Sequence, residues 1–160
     1  MSIFDAHKAM RVALMRLPAP LGRIIPSQDS QFVIVPTGEK SLSVVSTWTL
    51  NETARANINA ELDSVGLAFF QSVVTIITRS ARKVILYDLW SKHLIGEIQL
   101  PGRPGSGAAS GDGSKFYVTL PDTGQVASID LTTRRIVRLI DGLGEGVWTV
   151  VPAVGNGYCH

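Results

Sequence analysis

The run from Pro101 to Lys115, PGRPGSGAASGDGSK, is dense in glycine and ends in Gly113-Ser114-Lys115. Those residue types can cradle a phosphate. A phosphate loop, however, needs Gly-x4-Gly-Lys-Ser/Thr between a strand and a helix, so that backbone N–H groups and the lysine converge on the anion. Here the lysine follows the serine, and the next residues, FYVTL from Phe116, favour a strand. A dinucleotide fingerprint, Gly-x-Gly-x-x-Gly, fails as well, because counting from Gly105 its last place falls on Ser110. The run is therefore expected to hold a strand of small residues, Gly105 to Ser110, followed by a tight turn. In that turn Asp112 supplies an acceptor and Gly113 a permissive φ.

Other reactive types are sparse. Cys159 is the single cysteine, which excludes an internal disulfide or a cysteine metal cluster. Cys159-His160 ends like a haem attachment motif, but Asn156 occupies the place of its first cysteine. No metal site and no cofactor are expected. The net charge of +2 with 18% charged residues does not provide the dense basic stripe that nucleic acid binding requires. Hydrophobic residues make up 45% of the 160, which is a globular composition. The N-terminal MSIFDAHKAMRVALMRLPAP places Asp5 and His7 before any apolar run, unlike a secretory signal. The longest nearly apolar run, Val65 to Thr78, has 14 residues and falls short of the roughly 20 that a membrane helix needs. It reads as two buried strands with a turn near Gln71-Ser72.

A repeat organises these residues. FVIVP at Phe32, VTIIT at Val74 and FYVTL at Phe116 are spaced by 42. So are LSVVST at Leu42, VILYDL at Val84 and VASIDL at Val126. Each unit reads as a small-residue strand, an apolar strand, a second apolar strand ending in aspartate, and a more polar fourth strand. Four short strands per unit, joined by hairpin turns, is the pattern of a propeller blade. The expected fold is all-β, a β-propeller of four-stranded antiparallel blades with a period of about 42 residues. Blades are expected at 20–61, 62–103 and 104–145. FDAHKAMRVALMRLP at Phe4 aligns without a gap on YDLWSKHLIGEIQLP at Tyr87, so residues 2–19 read as the last two strands of a preceding blade. Residues 146–160 read as the start of a further one. Local propensity alone would make Asp5 to Leu17 a helix capped by Asp5; the alignment favours strands. The chain is then either part of a larger propeller or a ring of four blades.

The third repeat resembles the YVTN-type propeller repeat, a relative of the tryptophan-aspartate and NHL repeats. The likeness is carried by Pro104 to Leu120 and by VASIDLTTRRIVRLI, Val126 to Ile140, with Leu120 in place of the family's asparagine and Arg134 where glycine is common. The resemblance implies a bacterial propeller, at the cell surface or in the periplasm. It is compatible with binding modules, lactonases and electron-transfer subunits, so fold alone does not decide function.

Placed on blades, the reactive residues acquire plain roles. Asp5, Asp88 and Asp130 each close a third strand and are expected to bond the following turn. His7 and His93 fall in the adjoining rim hairpins. Trp48 and Trp90 end third strands and are expected to pack between blades. Asn51-Glu52-Thr53 is a glycosylation sequon, of consequence only in a secreted eukaryotic protein. What remains is a basic group, Arg79, Arg82 and Lys83, in the second hairpin of the middle repeat. It shares a face with the blade-to-blade loop LPGRPG and its Arg103. Arg23 and Ser64 are the polar residues of the innermost strands, and Trp148 could line the axis. The main reading is a non-enzymatic binding module with these candidates: Arg79, Arg82, Lys83, Arg103, Arg23 and Trp148. Its partner would be a protein or an anionic ligand on the loop face, with self-association through open blade edges. The alternative is a propeller enzyme or enzyme subunit, a lactonase-like hydrolase or an electron-transfer subunit, which needs a convergent polar or metal cluster at the axis.

Overall fold

The computed structural model describes residues 1–5, 7–17, 24–27, 29–68, 72–144 and 146–151. Among them are fourteen strands and no helix, so none that is long and apolar enough to cross a membrane. The strands form three four-stranded sheets and one two-stranded sheet, all antiparallel and each joined in chain order. The chain divides into two compact units, Met1–Asn59 and Ala60–His160.

The first unit holds β1 (Ser2–Asp5) and β2 (Met10–Leu14), which pair with each other. The segment that local propensity makes helical is thus a hairpin. It also holds the sheet β3 (Ile25–Pro26), β4 (Phe32–Pro36), β5 (Ser41–Ser46) and β6 (Glu52–Asn57). The middle strands are apolar on both faces: Ile34, Val35, Leu42, Val44 and Val45 are all buried. The second unit holds β7 (Ser64–Ala68), β8 (Val73–Thr78), β9 (Lys83–Asp88) and β10 (His93–Gln99) in one sheet. Its other sheet is β11 (Gly107–Ala109), β12 (Lys115–Leu120), β13 (Gln125–Asp130) and β14 (Arg135–Ile140). Every residue of β8, VVTIIT, is buried, as expected for a strand covered on both sides. One core runs through both sheets of this unit, with Ile77, Val84 and Leu86 from one and Phe116, Val118 and Ile129 from the other.

The turns repeat as faithfully as the strands. Asp5 Oδ1 accepts the N–H groups of His7 and Lys8. Asp88 Oδ1 accepts those of Trp90 and Ser91, and Asp130 Oδ1 that of Thr133. Ser46 Oγ does the same for Trp48 and Thr49. Each of these turns ends on a non-glycine residue in the left-handed region, namely Ala9, Leu50, Lys92 and Arg134, with φ of 50° to 60°. Each is followed by a register shift in the hairpin, the mark of a β-bulge. Trp48 and Trp90 do not pack between blades: they ride on these turns, 83% and 58% exposed.

The GDGSK run is a turn. Gly113 has φ 67°, and Asp112 Oδ1 accepts the Ser114 N–H at 3.1 Å and the Ser110 hydroxyl at 2.5 Å. Ser110 Oγ in turn accepts the Lys115 N–H at 2.9 Å. The same arrangement occurs at Ser27, Asp29, Ser30 and Phe32.

Candidate binding face

Three connections of the second unit meet here: the turn after β8, the turn after β12, and the loop from β10 to β11. Residues 146–151 run beside them without forming a strand. The Trp148 carbonyl accepts the Ser106 N–H at 3.1 Å and the Thr119 hydroxyl at 3.2 Å. The Gly146 N–H reaches the Pro121 carbonyl at 3.4 Å. The backbone of Trp148 is thereby fixed while its indole stays 55% exposed.

Two carboxylates hold the flanking turns. Asp63 Oδ2 accepts the Arg79 N–H at 2.6 Å, and its Oδ1 lies 3.8 Å from the Arg79 guanidinium. Asp122 Oδ2 accepts the Arg103 N–H at 2.9 Å. Gly102 admits this carboxylate, since a Cβ there would stand 2.6 Å from Asp122 Oδ1. The Arg79 guanidinium carbon lies 5.7 Å from the centroid of the Trp148 ring, within range of a cation–π contact. Arg103, Pro121, Asp122, Gly146 and Trp148 line a cleft of about 560 Å³.

The structure therefore draws Arg79, Arg103 and Trp148 into one neighbourhood. Lys83 is committed elsewhere: on β9, its ammonium pairs with Glu97 at 2.7 Å. Arg82 is exposed in the turn after β8 with φ 51°, the place that Gly124 takes in the next repeat. Its carbonyl accepts the Leu100 N–H at 2.8 Å and the Gln99 amide at 3.0 Å. Arg23 lies outside the described residues, and Ser64 sits half-buried on β7 opposite Ile77. Sequence reasoning passed over Asp63 and Asp122. The available signal for Asp122 was its place in PDTG, the turn facing the Arg103 loop; Asp63 has no local signature. Among the described residues no three His, Cys, Asp or Glu side chains converge as metal ligands.

Chemically the cleft offers a guanidinium, an open aromatic face and a carboxylate already engaged by a backbone N–H. It can take an anionic group at Arg103 and a flat or apolar group on Trp148.

No family model and no curated protein matches the chain. Solved structures do. A Kuenenia stuttgartiensis hydrazine synthase chain superposes with TM-score 0.69 at 21% identity, over 84% of this chain and 39% of that one. Apo AztD from Citrobacter koseri gives 0.71 at 14%, over 85% and 40%. The β-propeller domain of Myceliophteria thermophila Cps50 (Swd1) gives 0.70 at 12%, over 91% and 49%. The chain spans 39% to 49% of the length of these chains. At such identities the likeness carries the fold alone. With the three meandering four-stranded sheets, it shows that this is a β-propeller fold.

Proposed function

We propose that the chain is a non-enzymatic propeller module of the YVTN-type repeat class, which binds an acidic partner on its loop face. The reading extends to blades at 20–61, 62–103 and 104–145, with 2–19 and 146–160 as parts of others; the repeated turn bonding supports it. The observation that carries the function is the cleft in which Arg103 and Trp148 stand exposed, with Arg79 over the indole. Arginine and tryptophan are the types most enriched where binding energy concentrates. Enzymes and scaffolds share this fold, so the site, not the fold, bears the argument.

A fluorescent ten-residue polyglutamate peptide tests it by anisotropy. Binding should weaken with added salt and fall about tenfold on Arg103→Ala, the scale of one lost charge-assisted contact. Lys83→Ala should leave it unchanged, because that charge is paired with Glu97. Equal losses for the two variants, or no binding at low salt, would overturn the assignment.

A further inference from the structure

Around the loop-face cleft the backbone is already bonded within the protein. The Arg103 N–H goes to Asp122, and the Gly105 N–H goes to the Thr119 carbonyl at 2.8 Å. The Ser106 N–H goes to the Trp148 carbonyl, and the Gly146 N–H to that of Pro121. With these donors committed, they form no nest of converging N–H groups for a phosphate. They also offer no backbone ladder to an added peptide strand. What the cleft presents is side chains: Arg103, Asp122 and Trp148 are exposed, and Pro121 is half-buried. Nothing lies within 4 Å of a Cβ built on Gly146, so the backbone there is uncrowded.

We infer, resting on the loop-face reading, that the partner of this cleft is a sugar acid: a pyranose ring bearing one carboxylate, as in an acidic polysaccharide. The Arg103 guanidinium matches a single planar carboxylate with two parallel N–H donors. Trp148 offers a flat apolar surface on which the C–H face of a pyranose stacks. Its backbone is fixed by the two hydrogen bonds to its carbonyl, and the Arg79 guanidinium lies 5.7 Å from its ring centroid. Asp122 is an acceptor for sugar hydroxyls. A carboxylate can take about four hydrogen bonds, and the Arg103 N–H is one of them. The same negative charge disfavours a ligand crowded with anionic groups, because a second anion would face Asp122. The cleft, about 560 Å³, falls within the ordinary range of small-ligand sites, roughly 300–1,000 Å³. A hydroxylated ring with one acid engages guanidinium, indole and carboxylate at once. A glutamate side chain engages only the first.

The probe is a disaccharide of one glucuronic acid and one xylose, titrated into the intact chain by calorimetry. It should bind saturably. Its methyl ester keeps both rings and loses the charge, and should bind about tenfold more weakly, the scale of one charge-assisted contact. Arg103→Ala should bring the acid down to the level of the ester. Trp148→Ala should weaken acid and ester alike by roughly tenfold, the scale of one lost stacking contact. Both side chains are exposed, so both variants should keep the urea midpoint of the parent chain. Equal binding of acid and ester, or a Trp148→Ala variant that binds the acid as before, would overturn the inference. If the ten-residue polyglutamate peptide binds through Arg103 and the disaccharide does not bind, the loop face takes an acidic peptide and the sugar assignment alone falls. If neither binds, both fall together.

Discussion

The ring of Phe116 lies beneath the bare backbone of Gly107, so that a Cβ added at 107 would stand 2.6 Å from its Cε1 and 2.9 Å from the Ile77 methyl. The same ring comes within 3.7 Å of a Cβ built on Gly66, in β7 of the adjoining sheet. Two inner strands thus approach through the space that two glycines leave, and one phenyl fills it. Gly107→Ala should destabilise the fold by about 1–3 kcal/mol, the range for overpacking a well-filled core. Urea unfolding at constant m-value measures it. Adding Phe116→Leu to Gly107→Ala should cost less than the sum of the single changes, because the two residues share one space; strict additivity would show that the glycine serves something other than this contact.

Acid should act on the turn at Ser110. Hydrogen bonds from the Ser110 hydroxyl first, and then from Ser114, lower the Asp112 carboxyl from its ordinary 3.8 to about 2. A carboxyl depressed in the folded state contributes stability that is complete above its unfolded value. That contribution is lost as pH falls from about 4 to about 2. Asp112→Asn should flatten this part of the stability profile, and Ser110→Ala should move the Asp112 titration, followed by NMR, back toward the ordinary value. A titration midpoint that ignores Ser110→Ala would rule this coupling out.

Much of this architecture is legible in the chain, for a definite reason. β5, β9 and β13 end on Ser46, Asp88 and Asp130, spaced by 42, and those end residues are side-chain acceptors whose turn bonding is local. The apolar anchors are less faithful. Phe32 stands 84 positions before Phe116, yet in the sheet it takes the place of Lys115: Phe32 faces Ser46 as Lys115 faces Asp130. The cause is a turn shorter by one residue. Thr37 bonds back to Ser41 across positions 38–40, whereas 79–82 and 121–124 each span four positions. A strand buried on both faces has no polar side to betray such a slip. Asp63 is illegible for another reason, since it bonds a backbone N–H 16 residues away, and Asp122, which bonds one 19 residues away, is marked only by its PDTG turn. Trp48 and Trp90 misled because large aromatic side chains are usually read as core, while their N–H groups are needed at exposed turns.

The Gly102–Asp122 contact provides a handle on the cleft that leaves its charges in place. Gly102→Ala would set a methyl 2.6 Å from Asp122 Oδ1, and the carboxylate must then leave the Arg103 N–H. The expected outcome is a loop that exchanges its amide protons faster at Arg103 and binds polyglutamate less tightly, with global stability lowered by about 1–3 kcal/mol, the cost of an exposed or partly exposed polar contact broken together with a local clash. Unchanged exchange at Arg103 would mean that Asp122 does not hold this loop.

The left-handed residues divide into those whose side chains work and those whose side chains do not. Lys92 and Arg134 occupy the same place in successive repeats, with φ of 60° and 58°. An L-residue in this region is strained by about 1–2 kcal/mol, which glycine avoids at some entropic cost of its own. Arg134 has a compensating role: its Nη1 donates to the Ile95 carbonyl at 2.5 Å, and its side chain lies 3.2 Å from a Cβ built on Gly96 in the neighbouring sheet. Lys92→Gly should therefore raise stability by about 0.5–1 kcal/mol, whereas Arg134→Gly should give no gain or a loss, as relief of backbone strain is offset by the missing hydrogen bond between sheets. Thermal unfolding of the two variants side by side decides it. Equal gains would show that the Arg134 clamp contributes nothing to holding β10 against the turn after β13.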